Sequence, residues 1–183
     1  LCRQVERDQG DAGAPVGEVV RDHWRKLLVG GGARIGPDVL YSLAAVFSLS
    51  YLTTTLGVSR TRALIALSIG GACNALTIPI FGGLSDRYGR RAVYGAGVLC
   101  ALALAFAFFP LLDTKSPGAI TFAIAAALVV HAMMYGPQAA FIAEQFPTRV
   151  RYAGSSLAYT LAGIVGGGIA PVMFATLQRA YGT

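Results

Sequence analysis

The sequence predicts an all-α membrane protein of about five transmembrane helices preceded by a short amphipathic helix, and three observations predict it. Of 183 residues, 55% have apolar side chains and only 13% are charged. An ordinary soluble domain carries about 25% charge. The charges cluster and leave long stretches nearly free of them. Several of those stretches reach the roughly 20 apolar residues that cross a bilayer.

Residues 1–15 read as a polar linker, and Pro15–Lys26 as a short helix lying on the membrane surface. On that helix Val16, Val19, Val20 and Trp24 share one face, and Trp24, Arg25 and Lys26 mark the water–lipid boundary. Residues 1–26 thus form a linker and surface helix, and residues 27–183 the membrane domain. Its spans are expected at about 27–56, 62–84, 92–112, 118–143 and 153–177. Turns or charged loops separate them at 57–61, 85–91, 113–117 and 144–152. The first 26 residues lack the pattern of a signal peptide. A chain starting at Leu1 instead of Met reads as an internal or trimmed piece of a longer one.

Orientation follows from the basic residues. With a cytoplasmic amino terminus, Arg3, Arg7, Arg21, Arg25, Lys26, Arg87, Arg90, Arg91, Arg149 and Arg151 fall inside. Arg60, Arg62, Lys115 and Arg179 fall outside, and ten against four favours this arrangement. The same placement removes nucleic acid as a partner, because the net charge of +6 sits at the ends of apolar segments. Cys2, Cys73 and Cys100 do not make a disulfide framework. No metal-ligand spacing joins the Cys and His residues, so no metal or organic cofactor is expected. An enzyme is not expected either, since Ser155 and Ser156 have no neighbouring His in the sequence to activate them.

The loop after the second span reads Gly82-Gly83-Leu84-Ser85-Asp86-Arg87-Tyr88-Gly89-Arg90-Arg91. Gly82 lets two helices approach, Gly89 permits a turn at positive φ, and Asp86 can pair with an arginine or face a helix N-terminus. A generic basic loop accounts for the arginines but not for the ordered Gly, Asp and Gly. A second charged loop reads Glu144-Gln145-Phe146-Pro147-Thr148-Arg149-Val150-Arg151. Glu144 there can bridge to Arg87 or Arg90, so that the two loops form a cytoplasmic gate; the plainer alternative is solvated ion pairs worth about 0–1 kcal/mol each. Gly163–Pro171 gathers small residues ahead of a proline, for close packing or flexing.

These loops resemble those of the major facilitator superfamily. Gly82, Asp86, Arg87, Gly89, Arg90 and Arg91 fill every position of its G-x-x-x-D-R/K-x-G-R-R/K loop, and Glu144–Arg151 resembles its E-x-F-P-T-x-x-R loop. The wording of AEQFPTRVRYAGSSLAY and LAGIVGGGIAP is similar to the metabolite:proton symporter branch. The resemblance implies a partial major facilitator fold whose five spans match helices 7–11 of a twelve-helix carrier. It also implies a missing amino-terminal half and final helix, a bacterial inner membrane, a small-molecule metabolite as substrate and the proton as coupling ion. One departure stands out: Arg34 is followed by Ile35-Gly36-Pro37-Asp38, where the branch often has acidic or amide residues.

Ionisable groups inside a span are costly and point to function. Arg34 and Asp38 lie four residues apart on one helix face. They read either as a structural ion pair or as a substrate-carboxylate site in which Asp38 releases Arg34 on protonation. Pro37 loosens the helix between them, and Tyr41 lies one turn beyond. His131, Tyr135 and Gln138 form a polar stripe at i, i+4, i+7. His131 suits either a proton relay or a satisfied structural role, while Tyr135 and Gln138 suit cavity-lining hydrogen bonds. Asn74 suits an interhelical hydrogen bond. The function expected is that of a fragment of a secondary active transporter, carrying a small organic anion or zwitterion with protons by alternating access. The alternative is a non-transporting membrane fragment or interaction module.

Overall fold

The computed structural model describes residues 14–181. Most of the expected linker, with Cys2, Arg3 and Arg7, lies outside the described residues. Every element is helical: α1 is Ala14–Asp22, and five helices follow that are long and apolar enough to cross a membrane. These are α2 (Trp24–Thr55), α3 (Arg60–Tyr88), α4 (Arg90–Asp113), α5 (Pro117–Glu144) and α6 (Arg151–Gln178). The chain is a multi-pass α-helical membrane protein.

The breaks between helices follow local chemistry. Gly57 and Gly89 adopt φ values of 68° and 92°, where a side chain is strained. Pro117 opens α5 at the first-turn position that needs no N–H donor. One expectation is corrected. The surface helix stops at Asp22, and after the non-helical His23 (φ −124°, ψ 19°) residues Trp24–Lys26 open the first spanning helix instead. The four apolar residues of that surface helix differ in burial. Val19 is fully buried against Ile142, Phe146, Val150 and Ala158, whereas Val16, Val20 and Trp24 are exposed.

Helix α5 forms the centre. Of its most apolar stretch 44% is buried, against 17% in each of α3, α4 and α6. Its close partners α3 and α4 cross it on glycines. A Cβ added at Gly136 would lie 2.8 Å from the Gly82 nitrogen and the Ile78 carbonyl oxygen, both backbone atoms of α3. Gly82 does sit at a helix crossing, but the residue with no room to spare there is Gly136, which the motif reading had not singled out. The exposed apolar residues, among them Leu76, Leu99, Phe106 and Phe122, suit a lipid-facing surface.

The bilayer offers no water to an unpaired backbone group, and the prolines create such groups. Pro37 cannot donate to Ala33 four residues back. The Tyr94 hydroxyl, from α4, donates to that carbonyl oxygen at 2.6 Å. Helix α6 widens to a π-helical turn over Ile164–Ile169, where Ala170 N–H bonds Val165. In that register the donor for Gly166 would be Pro171, which has none. The Ser42 hydroxyl of α2 donates to the Gly166 oxygen at 2.9 Å. Helix α2 contains π-helical segments at Ser42–Phe47 and Tyr51–Thr55, and the Ser48 hydroxyl bonds Leu43 O within the first at 2.8 Å.

The Gly136 crossing is testable against a nearby glycine of open surroundings. Gly136→Leu is expected to destabilise the detergent-solubilised chain by about 1–3 kcal/mol or more. Gly71→Leu, where an added Cβ meets nothing within 4 Å, is expected to leave the thermal unfolding midpoint near that of the parent. Equal midpoints for the two variants contradict the packing described.

Candidate functional site

A pocket of about 350 Å³, open on one side, is lined by Arg34, Asp38 and Tyr41 from α2, Asn74 and Ile78 from α3, and His131 and Tyr135 from α5. Residues distant in sequence meet here because α2 and α3 both pack on α5. Arg34 Nε donates to Asp38 Oδ2 at 2.9 Å, the i, i+4 pairing its spacing allows, and both side chains are largely buried. The guanidinium lies over the Tyr159 ring, 4.2 Å from its centroid. An aromatic face attracts a cation most strongly where water is excluded. Asp38 is packed equally closely: a Cβ on Gly166 would come within 2.5 Å of its own Cβ. Only the guanidinium Nε is engaged by Asp38. The two Nη amino groups make no bond to Asp38, and such a pair can bind a carboxylate side by side.

His131 is 5% exposed and held on three sides. Tyr41 lies 5.3 Å and Tyr135 5.1 Å from it between ring centroids. The Asn74 side-chain nitrogen is 2.9 Å from His131 Nδ1 and donates to Leu128 O at 2.6 Å. Asn74 therefore makes the interhelical bond expected of it, to α5. Gln138 lies outside the cavity lining. It is 1% exposed, and neither its amide nitrogen nor its oxygen has a partner among the described residues.

The charged loops form a separate cleft of about 760 Å³, lined by Asp86, Gly89, Arg90, Arg91 and Glu144 among others. Arg90 is its hub, pairing with Asp86 at 3.3 Å and with Glu144. Of the two arginines open to Glu144 it is thus Arg90 that holds it; Arg87 lies over the Tyr88 ring instead. Arg149 points elsewhere, pairing with Glu18 of α1 at 3.2 Å. Arg151 Nε bonds the Phe146 carbonyl oxygen at 3.4 Å. The structure thus unites Asp86, Arg90 and Glu144 and separates Arg149 and Arg151 from them. The Asp86 and Glu144 side chains are 67% and 59% exposed, so each pair is worth at most about 1 kcal/mol.

Tyr159 and Tyr94 escaped the sequence reading. The available signal for Tyr159 was an aromatic ring with a polar tip within a small-residue stretch, which lets a neighbouring helix come near. The ion pair on which Tyr159 packs predicts an asymmetry. Arg34→Ala strands a carboxylate and is expected to destabilise the chain, toward the about 3–5 kcal/mol of a broken buried pair. Arg34→Ala with Asp38→Ala removes both charges and is expected to be the more stable of the two variants. A double variant no more stable than the single one, by thermal unfolding in detergent, contradicts the pairing.

The chain is similar in sequence to known proteins. The family described as sugar (and other) transporter matches residues 3–183. The inner membrane metabolite transport protein YhjE of Escherichia coli is 31% identical over 187 residues, covering 100% of this chain and 42% of the relative. The shikimate transporter of Escherichia coli is 39% identical over 137 residues, covering 74% of this chain and 31% of the relative. The proline/betaine transporter of Salmonella typhimurium is 30% identical over 163 residues, covering 87% and 32%. The chain spans less than half the length of each of these relatives. No solved structure gives a significant match. Its loops, its five spanning helices and these matches lead to one conclusion: the chain belongs to the sugar (and other) transporter family of the major facilitator superfamily.

Proposed function

We propose that the chain is the helix 7–11 portion of a bacterial inner-membrane carrier that moves a small organic anion or zwitterion together with protons by alternating access. The observation that carries this reading is the Arg34–Asp38 pair, which lines an open pocket and holds Asp38 through the guanidinium Nε alone. Shikimate, proline and betaine, which name the substrates of relatives, each carry a carboxylate. A carboxylate arriving at Arg34 competes with Asp38 for the guanidinium. Asp38, released, accepts the coupling proton. The reading includes no catalytic step and no cofactor beyond the proton.

The amino terminus faces the cytoplasm in this reading, as the distribution of basic residues favours. The Asp86–Arg90–Glu144 cluster then lies at the cytoplasmic mouth and helps to hold that side closed. Since each pair there is exposed and weak, the cluster acts as a latch that opens readily. The remainder of the carrier supplies the opposite wall of the cavity, so transport belongs to the complete protein. The lipid bilayer is the chain's other partner, and His131 lies close enough to the ion pair to serve as a ligand contact.

The test uses the complete carrier in proteoliposomes, with external pH recorded on addition of dicarboxylates, shikimate, proline and betaine. Alkalinisation with at least one of these acids is expected, and its loss in Arg34→Ala. Asp38→Asn is expected to retain substrate exchange while losing proton movement. Uptake undisturbed by Arg34→Ala reduces Arg34 and Asp38 to a structural pair. Uptake without proton movement in the parent removes symport.

A further inference from the structure

Asn74 has two amide hydrogens and uses both. Its Nδ2 donates to Leu128 O at 2.6 Å and lies 2.9 Å from His131 Nδ1. A carbonyl oxygen only accepts, so the nitrogen of the amide must face it. The reversed amide would set oxygen against oxygen at that distance. The second N–H of the same nitrogen is therefore directed at His131 Nδ1, which accepts. A neutral imidazole that accepts at Nδ1 carries its proton on Nε2. Nε2 makes no hydrogen bond to a described residue and is not among the buried atoms left without a partner. It is the ring nitrogen open to the cavity that His131 lines. Tyr135 stacks on the ring and Tyr41 packs against it at a tilt.

We propose that Asn74 is a positioning residue that locks His131 as the Nε2–H tautomer, so that the cavity presents a fixed donor to a hydroxyl or keto oxygen of an acid bound through its carboxylate at Arg34. The inference rests on the reading of Arg34 as the carboxylate site and narrows the substrate class. Among the described residues the lining adds the hydroxyls of Tyr41 and Tyr135, which donate or accept, to the Nε2–H donor. The cavity thus suits a hydroxy or keto acid better than an acid whose only oxygens are those of its carboxylate.

Two measurements test this. Nitrogen NMR of the histidine-labelled complete carrier in nanodiscs reads the tautomer directly, with the His131 signals assigned by their absence in His131→Gln. A pyridine-type Nδ1 and a pyrrole-type Nε2 are expected. A protonated Nδ1 overturns the proposal, and this measurement needs no Asn74 variant to fold. The second compares binding of quinate and of its deoxy analogue cyclohexanecarboxylate. Quinate is expected to bind at least about tenfold more tightly, the range of one or two hydrogen bonds. Asn74→Ala is expected to remove most of that preference while carboxylate binding persists. An unchanged preference in Asn74→Ala, or equal binding of the two acids by the parent, overturns it. Loss of all acid binding in Arg34→Ala is the expected companion result. If Arg34→Ala instead binds both as before, the carboxylate-site reading fails, and the ligand geometry fails with it whatever the tautomer.

Discussion

An ion pair inside an apolar bundle is the constraint around which this chain is arranged. Arg34 and Asp38 sit on a helix where either charge alone would be costly. Each neighbouring element answers part of that cost. Helix α2 itself supplies the pairing geometry through the four-residue spacing. Helix α6 brings the Tyr159 ring beneath the guanidinium, and its Gly166 lets it close on Asp38. Helices α3 and α5 provide polar side chains for the open side, Asn74, His131 and Tyr135. The pair is stabilised without being sealed, since it lines a cavity. That combination is what the proposed substrate role asks of it.

The same stretch of α2 is where the backbone departs from a regular helix. Pro37 lies between the charged residues and leaves Ala33 O to Tyr94. The π-helical turn from Ser42 begins one turn beyond Asp38, and Ser42 reaches the matching turn of α6 at Gly166. The two irregular segments are thus joined to each other by a hydroxyl rather than by backbone. A side-chain hydrogen bond between helices in a membrane is worth only about 0.6–2 kcal/mol. Such a link holds two helices in register at a modest energy. Close packing accompanies it at Gly166 and recurs at the Gly82–Gly136 crossing of α3 and α5.

How much of this was legible in the sequence depended on the physical origin of each feature. The five spans could be read because a bilayer imposes a long apolar run on each, and the turns because Gly57, Gly89 and Pro117 break helices for local reasons. The Arg34–Asp38 pair was legible because i, i+4 spacing fixes the geometry within one helix. So was the convergence of Tyr41, His131 and Tyr135 as candidates, since polar residues are rare in such helices. What escaped was set by contacts between helices. Nothing in the local sequence says that Gly136 rather than Gly82 is the tighter side of the crossing, or that Tyr159 will face Arg34. Gln138 belonged to the polar stripe by spacing but lies outside the cavity, because a stripe on a central helix is divided between different neighbours. The end of the surface helix at Asp22 was likewise hidden, as Pro15–Lys26 has helix-compatible residues throughout.

The account turns on whether the Arg34–Asp38 pair responds to substrate. Infrared difference spectra of the complete carrier, recorded with and without a transported acid, test that most directly. The account predicts a carboxylate band displaced on binding, absent when Asp38 is replaced by Asn, because the incoming carboxylate takes the guanidinium from Asp38. A difference spectrum identical in the parent and in Asp38→Asn, at saturating substrate, would contradict it and leave the ion pair a fixture of the fold.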